Sequence, residues 1–306
     1  IRRLGQQRGL KINEYGVFQG DSLIAGSTEA SVFQAVGLPF IPPELRENRG
    51  EIDAARDGRL PDLIELADLR GDLHSHTTAT DGRAGLKQMA LAARRRGHQY
   101  LAITDHSRHL TVARGLDRRR LLQQREEIDR INREIRGITL LAGIEVDILE
   151  DGRLDLPDEV LAGLDLVVGA VHTHFHLSRD KQTERILRAM DQRCFSILAH
   201  PSGRLLGERD PYDVDMARII DHARQRGCFL ELNGQPVRLD LTVTYCRMAR
   251  QQGVLVAINS DAHDEHALDN LRLGIQQARR GWLEKDDVLN TRPLPELRRL
   301  LKRTMG

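Results

Sequence analysis

From residue 72 onward, short apolar runs alternate with stretches whose apolar residues recur at helical spacing. Residues 100–104, 138–142, 166–171, 196–199, 229–232 and 254–258 read as strands. Between most of them lie amphipathic patterns at 85–96, closed by Gly97, and at 117–135, 181–192, 212–226 and 240–252, which read as helices. Strand–helix alternation predicts a parallel sheet with right-handed crossovers. With the run that ends at His74 there are seven strands, so the expected fold is α/β, a seven-stranded relative of the eight-stranded barrel.

Residues 1–70 follow another pattern. Residues 11–18 read as one strand, 19–21 as a turn and 22–25 as the returning strand. Ser27 or Thr28 can cap a short helix that Gly37 ends, and residues 38–43 hold three prolines in an extended segment. A helix over 51–57 ends at Gly58, and Pro61 starts a short turn. So small an α+β piece buries little surface, and it is expected to lean on the next domain or on sequence not present here.

The chemistry lies where the apolar runs stop. The first stops at His74 and His76, with Asp81 soon after; the second stops at Asp105 and His106. The third leads to Glu145, the fourth to His172, the fifth to His200, and the last to Asp261 and His263. In a parallel barrel all strand C-termini face one rim, so these groups converge whatever their separation in sequence. Six of the 12 histidines lie at strand ends, whereas His98, His109, His222 and His266 sit in helical or loop patterns. His174 and His176 are expected in a loop facing substrate. A set of imidazoles and carboxylates without thiolates suits Zn²⁺ or Mn²⁺, with Fe²⁺ as an alternative. The nine groups suffice for three ions if one carboxylate bridges. Ions about 3.5–4 Å apart can clamp a phosphate and activate water. No nucleophile-elbow serine or cysteine is present.

Composition narrows the classes. Hydrophobic residues make up 40% and charged residues 30%, which indicates a globular rather than a disordered chain. No apolar stretch approaches a membrane span, and no leader pattern opens the chain, so a cytoplasmic protein is expected. Cys194, Cys228 and Cys246 form no C-x-x-C pair and read as reduced, buried thiols. A net charge of +1 gives no global attraction to nucleic acid. The arginine runs at 94–96 and 118–120 read as solvated helix faces and helix C-termini.

The motifs Asp72-Leu73-His74-Ser75-His76-Thr77, Thr104-Asp105-His106, Gly143-Ile144-Glu145, His200-Pro201 and Ser260-Asp261-Ala262-His263, with Asp81 and His172, resemble the PHP (polymerase and histidinol phosphatase) family. The resemblance covers residues 71 to about 300. It implies a distorted seven-stranded (βα)7 TIM-like barrel with a trinuclear metal site at the strand C-termini. By motif, His74, His76, Glu145 and Asp261 would hold one ion, and Glu145 would bridge to a second held by His172 and His200. Asp81, His106 and His263 would hold a third, at a centre where Glu145, His74 and Asp261 are the candidate catalytic residues.

The segments 9–18, 37–46 and 49–52 look like the end of the polymerase region and the linker of bacterial family X DNA polymerases. The expected division is therefore residues 1–45, a fragment of that polymerase region; 46–70, a linker; and 71–306, the metal-dependent domain. The resemblance implies a bacterial, monomeric, manganese-dependent 3′–5′ exonuclease acting on DNA 3′ ends in repair, with 3′-phosphatase and abasic-site endonuclease activity, beside an upstream polymerase region. A small-molecule phosphomonoesterase of the histidinol phosphatase kind is the alternative. Polymerisation is not expected, because the one compact Asp-x-Asp, Asp213-Val214-Asp215, follows Pro211 and opens a helix. Arg204 and Arg238, just past the fifth and sixth strands, are candidates for gripping a phosphate.

Overall fold

The computed structural model describes residues 1–305 and divides into two compact units, Ile1–Asp62 and Leu63–Gly306. The expected linker falls in both, since its helix Glu51–Arg56 belongs to the first and residues 63–70 to the second.

In the first unit, helix α1 (Arg2–Gln7) precedes the antiparallel sheet β1 (Lys11–Asn13), β2 (Gly16–Gln19) and β3 (Ser22–Ala25), which is followed by helices α2 (Glu29–Ala35) and α3 (Glu51–Arg56). The single strand expected over 11–18 is two. The Asn13 side chain accepts from the Tyr15 N–H at 3.0 Å, and Gly16 takes φ +139°, so the chain reverses there. Thr28 caps α2 by accepting from the Ser31 N–H at 3.1 Å, and Gly37 follows the helix at φ +71°.

The second unit carries seven parallel strands: β4 (Gly71–Asp72), β5 (Tyr100–Ile103), β6 (Thr139–Asp147), β7 (Leu166–Ala170), β8 (Ile197–Leu198), β9 (Phe229–Asn233) and β10 (Val256–Asn259). They hydrogen-bond in chain order. The connecting helices are α4 (Leu86–Arg95), α5 (Arg118–Glu134), α6 (Asp158–Leu161), α7 (Arg179–Met190), α8 (Met216–Arg226) and α9 (Val243–Gln252), with α10 (Leu271–Arg280) and α11 (Leu294–Lys302) after the last strand.

The first and last strands meet at both ends, which nearly closes the barrel. Past their C-termini Ser75 bridges Ala262, and the His76 N–H donates to the Ala262 carbonyl at 2.8 Å. At the opposite mouth the Asn290 amide donates to the carbonyls of Gly71 and Ile258, while its oxygen accepts from the Ile258 N–H.

Period-two alternation sorts the strand side chains into two apolar clusters. Leu101, Ile103, Leu140, Val167, Leu230 and Ile258 pack outward beneath the helices. Tyr100, Ala102, Leu141, Val168, Phe229 and Ala257 fill the lumen, where Leu297 and Leu301 of α11 join them. Along β9 the inward series runs Phe229, Glu231, Asn233, and along β10 it runs Ala257, Asn259. The lumen thus turns from apolar to polar toward the strand C-termini.

Asp215 is the N-cap of α8, accepting from the Arg218 N–H at 3.2 Å, so Asp213-Val214-Asp215 serves the helix start. Arg118–Arg120 form the first turn of α5, which Asp117 caps by accepting from the Arg120 N–H at 2.8 Å.

Candidate metal centre

Glu145, on the long strand β6, is almost wholly buried and lies at the middle of the nine groups. Its Oε1 faces His172 Nε2 at 3.3 Å and His200 Nε2 at 3.0 Å. Its Oε2 faces His106 Nδ1 at 2.8 Å, His74 Nε2 at 3.4 Å and His76 Nε2 at 3.6 Å. Asp261 Oδ1 lies 3.1 Å from His76 Nε2 and 3.6 Å from His74 Nε2. Asp81 Oδ2 lies 3.4 Å from both His106 Nε2 and His263 Nε2.

The structure therefore brings all nine candidate residues to one mouth of the barrel. Three groups have ligand atoms close enough to share an ion: His74, His76 and Asp261; His106, Glu145 and His172; and His76, Asp81, His106 and His263. Here His76 and His106 each belong to two groups. His200 joins the second through Glu145.

Whether these residues fit divalent cations is tested by their unsatisfied atoms. His74 Nε2, both nitrogens of His76, His106 Nδ1 and Glu145 Oε2 are buried without a hydrogen-bond partner. Such orphans are rare in native proteins, and here they point at one another. Their protonation tells the same story. Burial opposes a charge on His74, but Glu231, Asp261 and Glu145 outweigh it and push its pKa well above the usual histidine value. Burial likewise opposes charge on His106, yet Glu145 and Asp81 raise it to about 10. Burial would raise Glu145, but His106, His74 and His172 hold it well below the carboxylate range. His76 is pushed down to about 4 by burial and by the neighbouring His106 and His263. The carboxylates thus demand positive charge, which protons supply when no cation does. The residues fit a cluster of divalent ions.

Behind this layer, a second set of groups aims the imidazoles. Glu231 accepts from His74 Nδ1 at 2.7 Å, and Asp147 accepts from His172 Nδ1 at 2.7 Å; each leaves Nε2 directed at Glu145. Asp105 accepts from the Thr77 N–H and hydroxyl, the Thr80 hydroxyl and the Gln124 amide, which anchors the turn after His76. Asp72 accepts from the Ser260 hydroxyl and the His74 N–H. His200 and Asp261 have φ of +26° and +51°, left-handed values that non-glycine residues seldom adopt and that concentrate at functional sites.

The cluster opens into a cleft of about 500 Å³ lined by Asp81, His106, Glu145, His172, Asp261 and His263 together with Arg83, Gln235 and Arg238. Arg238 Nε is buried without a hydrogen-bond partner and lies 3.5 Å from Asp261 Oδ2. The two arginines expected to grip phosphate are divided. Arg238 lines the cleft, whereas the Arg204 guanidinium donates to the carbonyls of Arg238 and Leu239 and braces that loop. His174 and His176 are exposed and do not line the cleft. Sequence reasoning missed Glu231, Asp147 and Arg83. The available signal for Glu231 was a carboxylate inside an otherwise apolar strand.

This nearly closed parallel barrel, with imidazoles and carboxylates gathered at its strand C-termini, has the metal-dependent phosphoesterase fold of the PHP domain. The PHP domain model matches residues 72–235, and the chain belongs to the PHP domain family. The DNA polymerase beta thumb model matches residues 1–47. Among relatives, the DNA polymerase/3′-5′ exonuclease PolX of Bacillus subtilis (strain 168) is 41% identical over 305 residues, which is 99% of this chain and 53% of that protein. The chain thus spans about half the length of that relative. A protein named "probable phosphatase" from Thermoanaerobacter sp. (strain X514) is 27% identical over 231 residues, 72% of this chain and 89% of that one. In fold, the barrel is similar to a solved Listeria monocytogenes structure described as a "putative histidinol phosphatase", with TM-score 0.53, 16% identity, and coverage of 65% of this chain and 97% of that one.

Proposed function

We propose that the chain is a metal-dependent phosphodiesterase acting on DNA 3′ ends, a 3′–5′ exonuclease with 3′-phosphatase and abasic-site endonuclease activity, working in the bacterial cytoplasm beside a polymerase region. The observation that carries this reading is Glu145, whose two oxygens face separate sets of imidazoles and so would let it serve more than one cation. In this reading His74, His76, Asp81, His106, His172, His200, Asp261 and His263 complete the ligand set for three divalent ions, Mn²⁺ or Zn²⁺. When bound, such ions polarise a phosphoryl oxygen and make water a better nucleophile.

The chain's own groups do the rest. Glu231 and Asp147 hold the protons of His74 and His172 on Nδ1, which keeps each Nε2 free as a ligand atom. Arg238 and Arg83 line the cleft, where their guanidinium groups take the remaining phosphate oxygens. The depth of Glu145 and His200 excludes bulk water, which strengthens each of these interactions.

The alternative, a small-molecule phosphomonoesterase, uses the same barrel. The polymerase-type segment at residues 1–47 and the PolX relative, alignable over 99% of the chain, favour the nuclease. The test is release of nucleotides from the 3′ end of single-stranded DNA with Mn²⁺. Release that disappears in Glu145→Ala is expected. Release undiminished in that variant, or turnover of histidinol phosphate far faster than DNA cleavage, counts against the proposal.

A further inference from the structure

The arginine run at the start of α5 has no part in the metal cluster, and its position is unfavourable for the helix. A helix N-terminus is already positive, so three arginines in its first turn oppose the dipole. Arg120 is spent locally, donating to the carbonyls of Ala79, Arg114 and Gly115. Arg118 and Arg119 are exposed, and the Arg118 side chain makes no hydrogen bond or ion pair among the described residues. Arg108 is also exposed and equally unpaired. These three line one groove of about 520 Å³, together with Asp117, Leu122, Gln123 and Glu126. Asp117, which caps α5, and Glu126 offset part of their charge and leave the groove net positive.

This groove is tied to the metal cluster. The Leu116 N–H donates to the His106 carbonyl at 2.7 Å, and the Ser107 N–H donates to the Glu145 carbonyl at 2.9 Å. The Gln124 amide of α5 donates to Asp105, beside His106, at 2.6 Å. The loop 106–110 therefore has the cleft on one side, lined by His106 and Leu110, and the arginine groove at Arg108.

We infer that Arg108, Arg118 and Arg119 form a phosphate track that holds single-stranded DNA upstream of the bond placed at Glu145. The inference rests on the phosphodiesterase reading of the cleft for the identity of the polyanion. With a net charge of +1 the chain has no general attraction to DNA, so the grip must be local. Glu145 and His200 lie at 1% and 2% exposure, and an unpaired end, thinner than a duplex, suits so recessed a site. A second groove, which shares Arg108, is the weaker candidate. Its Arg153 pairs with Asp151 at 2.7 Å, and it also carries Asp155 and Asp158.

The experiment is fluorescence anisotropy of a labelled oligo-dT of about 12 nucleotides, in EDTA so that no cleavage intrudes. Salt is varied between about 50 and 200 mM. The triple variant Arg108→Glu, Arg118→Glu, Arg119→Glu should bind at least tenfold more weakly. It should also lose about 2 from the slope of log K against log salt, roughly 0.7 for each of three phosphates. The control Arg298→Glu, Arg299→Glu, exposed on α11, should bind as the parent does. Parent-like binding by the triple variant, or equal weakening by the control, overturns the track. Hydrolysis of bis(p-nitrophenyl) phosphate with Mn²⁺ separates the two readings. It should be unchanged in the triple variant, and an equal loss there shows that the arginines act through the cluster and overturns the track. If the parent hydrolyses no phosphoester yet the binding difference holds, the phosphodiesterase reading falls and the track stands.

Discussion

Replacing Glu231 by glutamine changes no ligand and little shape, yet it should loosen the metal site. The Glu231 carboxylate is fully buried and takes four hydrogen bonds: from His74 Nδ1 at 2.7 Å, the His200 N–H at 2.7 Å, Asn259 Nδ2 at 2.9 Å and Asn233 Nδ2 at 3.1 Å. In Glu231→Gln one oxygen becomes an NH₂ that faces donors in either orientation. If it faces the backbone side, the His200 N–H and the Asn233 amide lose their acceptor, at about 1–3 kcal/mol for each buried donor left unpaired. If it faces His74, that ring must accept on Nδ1 and carry its proton on Nε2, the atom that points at Glu145 and Asp261. A cation cannot bind a protonated nitrogen. Loss of an outer carboxylate of this kind typically costs 10–100-fold in metal affinity, about 1.4–2.8 kcal/mol. Competition titration of Mn²⁺ or Zn²⁺ against a fluorescent chelator should show that weakening. Asp147→Ala, which removes the acceptor for His172 Nδ1, should weaken binding in the same range. Unchanged affinity in both variants would refute the claim that these carboxylates set the ligand nitrogens.

Four further outcomes are expected. Cation binding should release protons: His106 in the ion-free protein is raised to about 10 by Glu145 and Asp81 against the opposing effect of burial, so a cation must displace its proton at neutral pH. Metal affinity should rise with pH from the ordinary histidine value toward 10, and calorimetry in buffers of different ionisation enthalpy that detected no proton release would contradict this. In the ion-free protein, the stability that the same proton confers is fully present below pH 6.5 and is lost as pH rises through about 10. Chelation at pH 7.5 should lower the melting temperature, because cations at hundredfold excess over Kd stabilise the native state by about 2.7 kcal/mol; a melting curve indifferent to EDTA would argue against a built site. Gly71→Ala should destabilise the barrel, since an added Cβ would lie 2.3 Å from the Tyr100 carbonyl oxygen and 2.2 Å from the Tyr100 ring. Overpacking of that kind costs about 1–3 kcal/mol, and a melting temperature within a degree of the parent would show that β4 and β5 can part freely.

The barrel was legible because its strands are apolar runs bounded by polar residues, and a parallel sheet demands helices between them. The ends of those runs carried the histidines, so residues such as His74 and His200 stood out. What stayed hidden has physical causes. Residues 14–15 reverse the chain as the Tyr15 N–H donates to the Asn13 side chain, which leaves no mark in the hydrophobic pattern. Helices α10 and α11 follow the last strand, where strand–helix alternation no longer predicts anything. Nor does local pattern reveal that Leu297 and Leu301 fill the lumen with Leu141 and Phe229. The role of Arg204 was misjudged because proximity to a strand end says nothing about direction. Its guanidinium turns to the carbonyls of Arg238 and Leu239, leaving Arg238 in the cleft.

The outer carboxylates pose the sharper case. Glu231 sits in the run Phe229-Leu230-Glu231-Leu232-Asn233, flanked by leucines that pack outward. Period two then requires residues 229, 231 and 233 to point inward, so a buried charge at 231 needs a partner in the lumen. At the C-terminal half of a barrel lumen that partner is another functional side chain, here His74. Asp147 obeys the same rule two positions beyond Glu145 on β6, and its partner is His172 of the neighbouring strand's end. A carboxylate at an inward position within an apolar strand therefore marks the layer that orients ligands, as a histidine at a strand end marks the ligands themselves.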